Sequence, residues 1–253
     1  MLFRSVYAPP KPKSKSPFAG LCETFPVKLT MDEQNIVTKV ELGGEEPEMV
    51  QLWEGGPFWA TRNIGAEKPE DYGYYFWWGD TVGYKWENGQ FVASDGSVSG
   101  FSFSDVNAPT YNKDLATLQS EGWITSDGVL SPAHDAAHVQ WGGDWRMPTK
   151  QELDDLCYNK CDWEWVTQDG VDGCVVRGRG DYASSSIFLP AAGYGDGTSL
   201  CFSSSSGYVW SSVPSSDGYY ACYLDFYSPS GHSTYNYIRY GGFPIRPVQS
   251  PAE

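Results

Sequence analysis

The chain has 253 residues, a formal charge of −15 and a 16% aromatic share that includes 11 Trp and 17 Tyr. That length and aromatic content suit one large domain with a substantial core and exclude general disorder. The charge is uneven, about +4 over residues 1–20, −16 over 21–168 and −2 over 169–248, and an acidic body argues against nucleic acid or an anionic membrane as partner.

Residues 1–20 read as a disordered, basic, Pro-rich lead without the apolar centre of a signal peptide. The run Phe18–Cys22 is not a lipoprotein box, because Leu21 stands where a small residue is needed. No apolar run approaches a bilayer span, so no membrane insertion is expected. Residues 21–50 form a short acidic connecting segment with strand-like patches, and residues 51–248 form the main domain.

Within that domain, Gly55-Gly56-Pro57 leads into a first strand at Phe58 and Trp59. The run YGYYFWWG (72–79) is too aromatic for an exposed loop and must pack inward. Residues 85–112 are rich in Gly, Ser and Asn and read as an insertion holding one hairpin. Two helices are signalled. One covers Pro132–Trp141; the other starts at Thr149, whose spacing to Glu152 is that of a capping box, with Leu153 and Leu156 on one face. After Cys161 the pattern turns to short strands at Val175-Val176, Ile187–Leu189, Tyr208–Trp210, Tyr219–Tyr227 and Phe243–Val248. Helices early and strands late predict an α+β fold. The six cysteines contain no CxxC pair; Cys157 and Cys161 fit a distorted disulfide or reduced packing residues.

From Asp169 to Val248 there is no Lys, Glu, Gln or Met, although these four types fill about a fifth of residues 1–168. Tyr, Ser, Gly and Asp dominate instead. Such a mixture marks adaptable combining surfaces, since Tyr gives contact area at low entropic cost. It also fits a β region that simply disfavours Lys and Glu. In Tyr219–Tyr227 strand alternation turns Leu224 and Phe226 inward and Tyr223, Asp225 and Tyr227 toward solvent. The stretch HSTYNYIRYGG (232–242) has no apolar period and reads as a loop or edge strand. The candidate ligand-binding residues are therefore Tyr219, Tyr220, Tyr223, Asp225, Tyr227, His232, Tyr235, Asn236, Tyr237, Arg239 and Tyr240. The competing expectation packs these tyrosines on the 85–112 insertion.

The motifs GGPFWATRNIGA, YGYYFWWGDT, AHDAAHVQWGGDWRMPTKQELDDL, IFLPAAGYGDGTSL, YVWSS, LDF and GFPIRPV occur in this order over residues 51–248. In this the chain resembles a Bacteroidetes family of formylglycine-generating-enzyme-like domains, the Fibrobacter major paralogous domain among them. The resemblance implies a C-type lectin fold of the formylglycine-generating-enzyme-like type. Some relatives are variable proteins of diversity-generating retroelements, in which template adenines are randomised and the 3′ end of the gene is rewritten. An AAC codon substituted at its first two positions cannot encode Lys, Glu, Gln, Met or Trp. The C-terminal third obeys that exclusion apart from Trp210 inside YVWSS. The resemblance thus implies a hypervariable, non-enzymatic protein with a variable region at about 205–242, displayed on a cell surface or virion. Its partner would be a protein or glycan ligand on a cell or phage-host surface. The alternative is a non-diversified bacterial surface adhesin or glycan-binding domain.

No catalytic group, cofactor or metal is expected. The copper-using enzymes of the resembled family work through a cysteine pair, and Cys201 and Cys222 lie in no matching motif. His134 and His138, four apart, suit a metal or a structural helix. Asp144, Asp154, Asp155 and Asp162 suit calcium or a solvated acidic surface. Sugar-binding Glu-Pro-Asn and Trp-Asn-Asp runs are missing, as are GxSxG, Walker and HExxH motifs.

Overall fold

A computed structural model describes residues 27–31, 37–42, 48–228 and 231–251. The lead at 1–20 and most of the connecting segment lie outside the described residues. The chain divides into two units, Met1–Pro47 and Glu48–Glu253. In the first, strands β1 (Val27–Met31) and β2 (Val37–Leu42) pair antiparallel.

The second unit begins with β3 (Met49–Gln51) and β4 (Phe58–Ala60). Then come β5 (Tyr84–Glu87), β6 (Gln90–Ala93) and β7 (Ser99–Phe101). Three short helices follow, α1 (Leu115–Ser120), α2 (Ala136–Trp141) and α3 (Lys150–Asp154), the last widening into a π-turn over Asp155–Asn159. The chain continues with β8 (Cys161–Gln168), β9 (Val171–Gly178), β10 (Ser186–Pro190), β11 (Tyr194–Asp196) and β12 (Ser199–Cys201). It ends with β13 (Ser206–Pro214), β14 (Tyr220–Tyr227), β15 (Gly231–Ile238) and β16 (Val248–Gln249). The sheets of this unit are ordered β16-β4-β3, β5-β6-β7, β10-β9-β8, β11-β12 and β13-β14-β15. All named pairings are antiparallel. The architecture is mostly antiparallel sheet with few short helices, compatible with the expected α+β class.

Both predicted helices form, more tightly bounded than expected. The Thr149 capping box is complete: its hydroxyl accepts from the Glu152 amide and Glu152 accepts from the Thr149 amide. Arg146 adds a two-pronged pair to Glu152 at 2.8 and 2.6 Å. Asp135 caps α2 by accepting from the Ala137 and His138 amides, and it also accepts from the Met147 amide across the intervening turn. Helix α1 carries no signal of comparable strength in the sequence; Asp114 caps it through the Thr117 amide. The 85–112 insertion holds three strands rather than one hairpin. Asn88-Gly89, with φ of 51° and 78°, makes the tight β5–β6 turn.

The aromatic runs build the core through alternation. In YGYYFWWG, Tyr75 and Trp77 pack with Tyr84, Phe91 and Phe103, whereas Phe76 and Trp78 pack with Trp210, Phe243 and Ile245. The same rule divides β14, where Leu224 and Phe226 join Leu153, Leu156 and Val209 while Ala221 and Tyr223 join the Trp210–Phe243 cluster. Two buried indoles of the core are tied to backbone carbonyls, whereas the Trp59 and Trp77 indole nitrogens have no partner among the described residues. The Trp78 indole donates to Ser211 O and the Trp210 indole to Phe76 O.

Arg246, in the run GFPIRPV, is fully buried without a carboxylate partner. It donates to Asn63 Oδ1, Ala60 O and Phe188 O at 2.9–3.0 Å, and burial lowers its guanidinium pKa to about 9. The substitution Arg246→Met strands three buried acceptors, so urea denaturation is expected to show a loss of about 3 kcal/mol or more; a loss under about 1 kcal/mol contradicts this role.

Candidate functional site

The candidate surface is built on the β13–β14–β15 sheet. Residues that pair across strands share a face. On one face Tyr208 opposes Asp225, Asp225 opposes Ser233, Trp210 opposes Tyr223, and Tyr223 opposes Tyr235. The other face carries Cys222, Leu224 and Phe226 of β14 opposite Asn236, Thr234 and His232 of β15. The stretch HSTYNYIRYGG therefore begins with an edge strand, one of its two expected forms.

Two of the candidate residues require correction. Alternation sends Tyr223 toward solvent, yet it is only 8% exposed and packs against Trp210, Phe243 and Tyr237 at ring separations of 6.2, 5.1 and 5.9 Å. The cause is that β14 is a central strand whose second face is covered by the segment carrying Phe243. Arg239 is 0% exposed and is part of the frame. Its guanidinium lies 5.0 Å over the Trp78 ring. It donates to the carbonyls of Tyr220 (2.9 Å), Thr110 (3.1 Å), Lys113 (2.8 Å) and Asp217 (3.3 Å). Burial lowers its pKa to about 10.

The remaining candidates reach the surface to different degrees. Tyr219, Tyr220, Tyr227 and Tyr235 are 47, 39, 48 and 57% exposed. Asn236 is exposed, its Oδ1 accepting from the buried Cys222 thiol. Asp225, His232, Tyr237 and Tyr240 are half-buried. His232 stacks on Trp163 at 4.7 Å, on the face opposite Asp225. Tyr237 donates to the Tyr194 hydroxyl at 3.2 Å. Tyr219 and Tyr240 both lie edge-on to Tyr111, at 5.7 and 5.3 Å. The competing expectation thus holds for those two tyrosines, which do meet the 85–112 insertion, and Tyr227 and Tyr235 have no ring contact with it among the described residues.

Local hydrogen bonds fix how these side chains are presented. Asp217 accepts from the Tyr219 and Tyr220 amides and from the Ser215 hydroxyl, while its own carbonyl is held by Arg239. The loop entering β14 is therefore preorganised, and ordering it costs little on binding. At the far end of the strand the Tyr227 ring lies flat over Gly231, where a Cβ would enter the ring. Behind it Phe226 covers Gly207 in the same way. The bare glycines let both rings lie across their partner strands.

Sequence reading misses Tyr208, half-buried beside Asp225, together with the exposed Tyr158 and Phe202. Strand alternation is the signal that finds Tyr208, because it sits one residue out of phase with the buried Val209. Tyr158 accepts from the Thr234 amide, a pairing across 76 residues that no local pattern announces.

Asp225 has the least satisfied environment of the candidates. Its Oδ1 is buried with no hydrogen-bond partner among the described residues, and burial raises its carboxyl pKa to about 6. The groups with a chemistry of their own are otherwise engaged. Cys157, Cys161 and Cys174 are buried free thiols pushed up to about 12, and Cys201 and Cys222 are also free and raised by burial. Such thiols are poor nucleophiles. Cys22 lies outside the described residues. His134 stacks on Trp123 at 3.9 Å. Asp154, Asp155 and Asp162 bond to Lys150, Asn159 and Arg179. Among the described residues no group of three or more His, Cys, Asp or Glu is placed to hold a metal ion, and no helix is long and apolar enough to cross a membrane. Two depressions of about 260 and 390 Å³ are lined by groups such as Arg179 and Tyr182, and Tyr72 and Trp86, and by none of the candidate residues.

No protein-family model matches the chain, and no curated protein or solved structure matches it.

The Asp225 environment predicts a pH dependence. A carboxyl whose folded pKa of about 6 exceeds the ordinary 3.8 stabilises the fold below pH 3.8 and loses that contribution as pH rises through 6. Its neighbours Tyr208, Tyr223 and Cys157 all titrate above their ordinary values and stay neutral over this range. Asp225→Asn is therefore expected to melt about 2–4 °C above the parent at pH 8 and close to it at pH 4. A difference that is constant with pH contradicts the assignment.

Proposed function

We propose that the chain is a non-enzymatic ligand-binding protein whose frame is a C-type lectin fold of the formylglycine-generating-enzyme-like type. In this reading its C-terminal surface residues are rewritten by a diversity-generating retroelement. The observation that carries the proposal is the division inside residues 205–242. Trp210 on β13, Leu224 and Phe226 on β14 and Arg239 just after β15 are buried, while Tyr220 and Tyr227 on β14, Tyr235 on β15 and Tyr219 in the β13–β14 loop stand exposed. Large exposed aromatics on a preorganised β frame are suited to binding a macromolecular surface. The absence of Lys, Glu, Gln and Met from Asp169 to Val248 supports codon-restricted diversification. The burial of Tyr223 and Arg239 narrows the exchangeable set, because a frame cannot tolerate free variation at either position. The partner in this reading is a protein or glycan on a cell or phage-host surface, met by a protein displayed on a cell or virion.

Two measurements test the reading. Sequencing the flanking DNA is expected to find a near-copy of the 3′ end, differing at template adenines, beside a reverse-transcriptase gene. Its absence sinks diversification and leaves a conventional adhesin or glycan-binding domain. In the protein, Tyr227→Ser and Tyr235→Ser are expected to keep stability within about 0.5 kcal/mol, whereas Tyr223→Ser costs about 3 kcal/mol. Equal losses at all three positions in urea unfolding would show that surface and frame are not separable.

A further inference from the structure

We propose that Asp225, with Tyr208, Tyr223, Tyr227 and Tyr235 around it, is a subsite for a basic side chain, lysine or arginine, of a protein partner. The inference rests on the ligand-binding reading and names what anchors the ligand. Register places the five residues on one face, with Tyr208 directly across from Asp225 and Tyr223, Tyr227 and Tyr235 at adjoining positions. The rings are contiguous: Tyr208 stacks on Tyr223 at 6.0 Å, and Tyr223 meets Tyr235 at 6.4 Å. Tyr227 and Tyr235 are open to solvent, and Asp225 is half-buried between them and the covered end of the sheet.

Charge decides the class of occupant. Among residues 205–242 the basic side chains are His232 and Arg239 alone. His232 sits on the opposite face against Trp163, and Arg239 is consumed by backbone carbonyls. Lys150 is tied to Asp154, which bonds Thr234 on that same opposite face. Among the described residues the Asp225 carboxylate therefore has no salt-bridge partner, and its Oδ1 has no hydrogen-bond donor. A cation brought by the partner to the half-exposed carboxylate supplies the counter-charge. The aromatic walls favour it further, since tyrosine faces attract ammonium and guanidinium groups. A neutral saccharide can donate hydroxyls to Asp225 but leaves its charge uncompensated, so the protein partner is favoured.

The test uses the ¹⁵N-labelled full chain at neutral pH, titrated with N-acetyl-arginine methylamide and N-acetyl-lysine methylamide. N-acetyl-citrulline methylamide serves as the uncharged isostere and simple methyl glycosides as saccharide probes. The cationic amides are expected to shift, saturably, the backbone resonances of residues around 208, 223–227 and 233–235. Citrulline should act at least about tenfold more weakly, and Asp225→Asn should weaken the arginine probe by a similar factor. Because Asp225→Asn is expected to melt at or above the parent, lost binding is not lost folding; a melt far below the parent moves the comparison to Tyr235→Ser. Equal binding of arginine and citrulline, or arginine binding indifferent to Asp225→Asn, overturns the proposal. Glycosides shifting these residues where cations do not would overturn the cation subsite while leaving the ligand-binding reading in place. If no probe shifts them the subsite is overturned, and the locus sequence then judges the broader reading separately.

Discussion

An extended backbone shows its side chains alternately to two sides, and in this protein the segment Tyr75–Trp78 and the strand β14 bury both sides in different cores. Tyr75 and Trp77 serve one aromatic cluster and Phe76 and Trp78 another. On β14, Leu224 and Phe226 serve the aliphatic cluster beneath α3, and Ala221 and Tyr223 serve the Trp210–Phe243 cluster. Each is thus a partition shared by two cores. A shift of one residue in register would exchange both sets of side chains at once, so the register of β14 is pinned from two directions. The positions of Asp225 and Tyr227 follow from that pinning, because they are the continuation of the Ala221–Tyr223 face beyond the point where the second core ends.

The two buried arginines fasten this arrangement to the rest of the unit. Arg239 gathers carbonyls from residues 110, 113, 217 and 220 under one guanidinium. Arg246 gathers those of residues 60 and 188 together with the Asn63 amide oxygen. Neither forms a salt bridge among the described residues, although the nearby Asp217 carboxylate partly offsets the effect of burial on Arg239; burial lowers both pKa values while leaving the groups protonated at neutral pH. A planar guanidinium suits this task because its five donors spread in fixed directions. Lysine, with one compact ammonium, could not reach carbonyls so widely separated. The lack of lysine in this third of the chain is thus compatible with a packed frame as well as with restricted codons.

Much of this is legible in the sequence where the cause is local. The Thr149 capping box, the helix in AHDAAHVQW and the inward packing of YGYYFWWG all appear, since capping and burial of apolar bulk act over a few residues. The Asn88-Gly89 turn is equally local but is masked by the surrounding Gly and Ser, which suggest irregular structure. What sequence cannot supply is the second layer. Alternation says correctly that Tyr223 and Leu224 face opposite ways, but whether the Tyr223 side meets water depends on Phe243, twenty residues later. Arg239 looks like a surface cation for the same reason: the carbonyls it holds lie in segments remote from it in the chain.

The placement of Asp225 shows where this face gives up stability. A carboxylate half-withdrawn from water, with one oxygen unmet, destabilises the folded state at neutral pH, and nothing in the frame requires an acid there. Ser233 opposite and Tyr208 beside it would tolerate a neutral residue of the same size. The neighbouring tyrosines differ in kind. Tyr223 is held by packing, Tyr227 lies across a glycine, and Tyr235 stands almost free. The face therefore grades, over a few residues, from core to solvent, and Asp225 sits where that gradient crosses the surface.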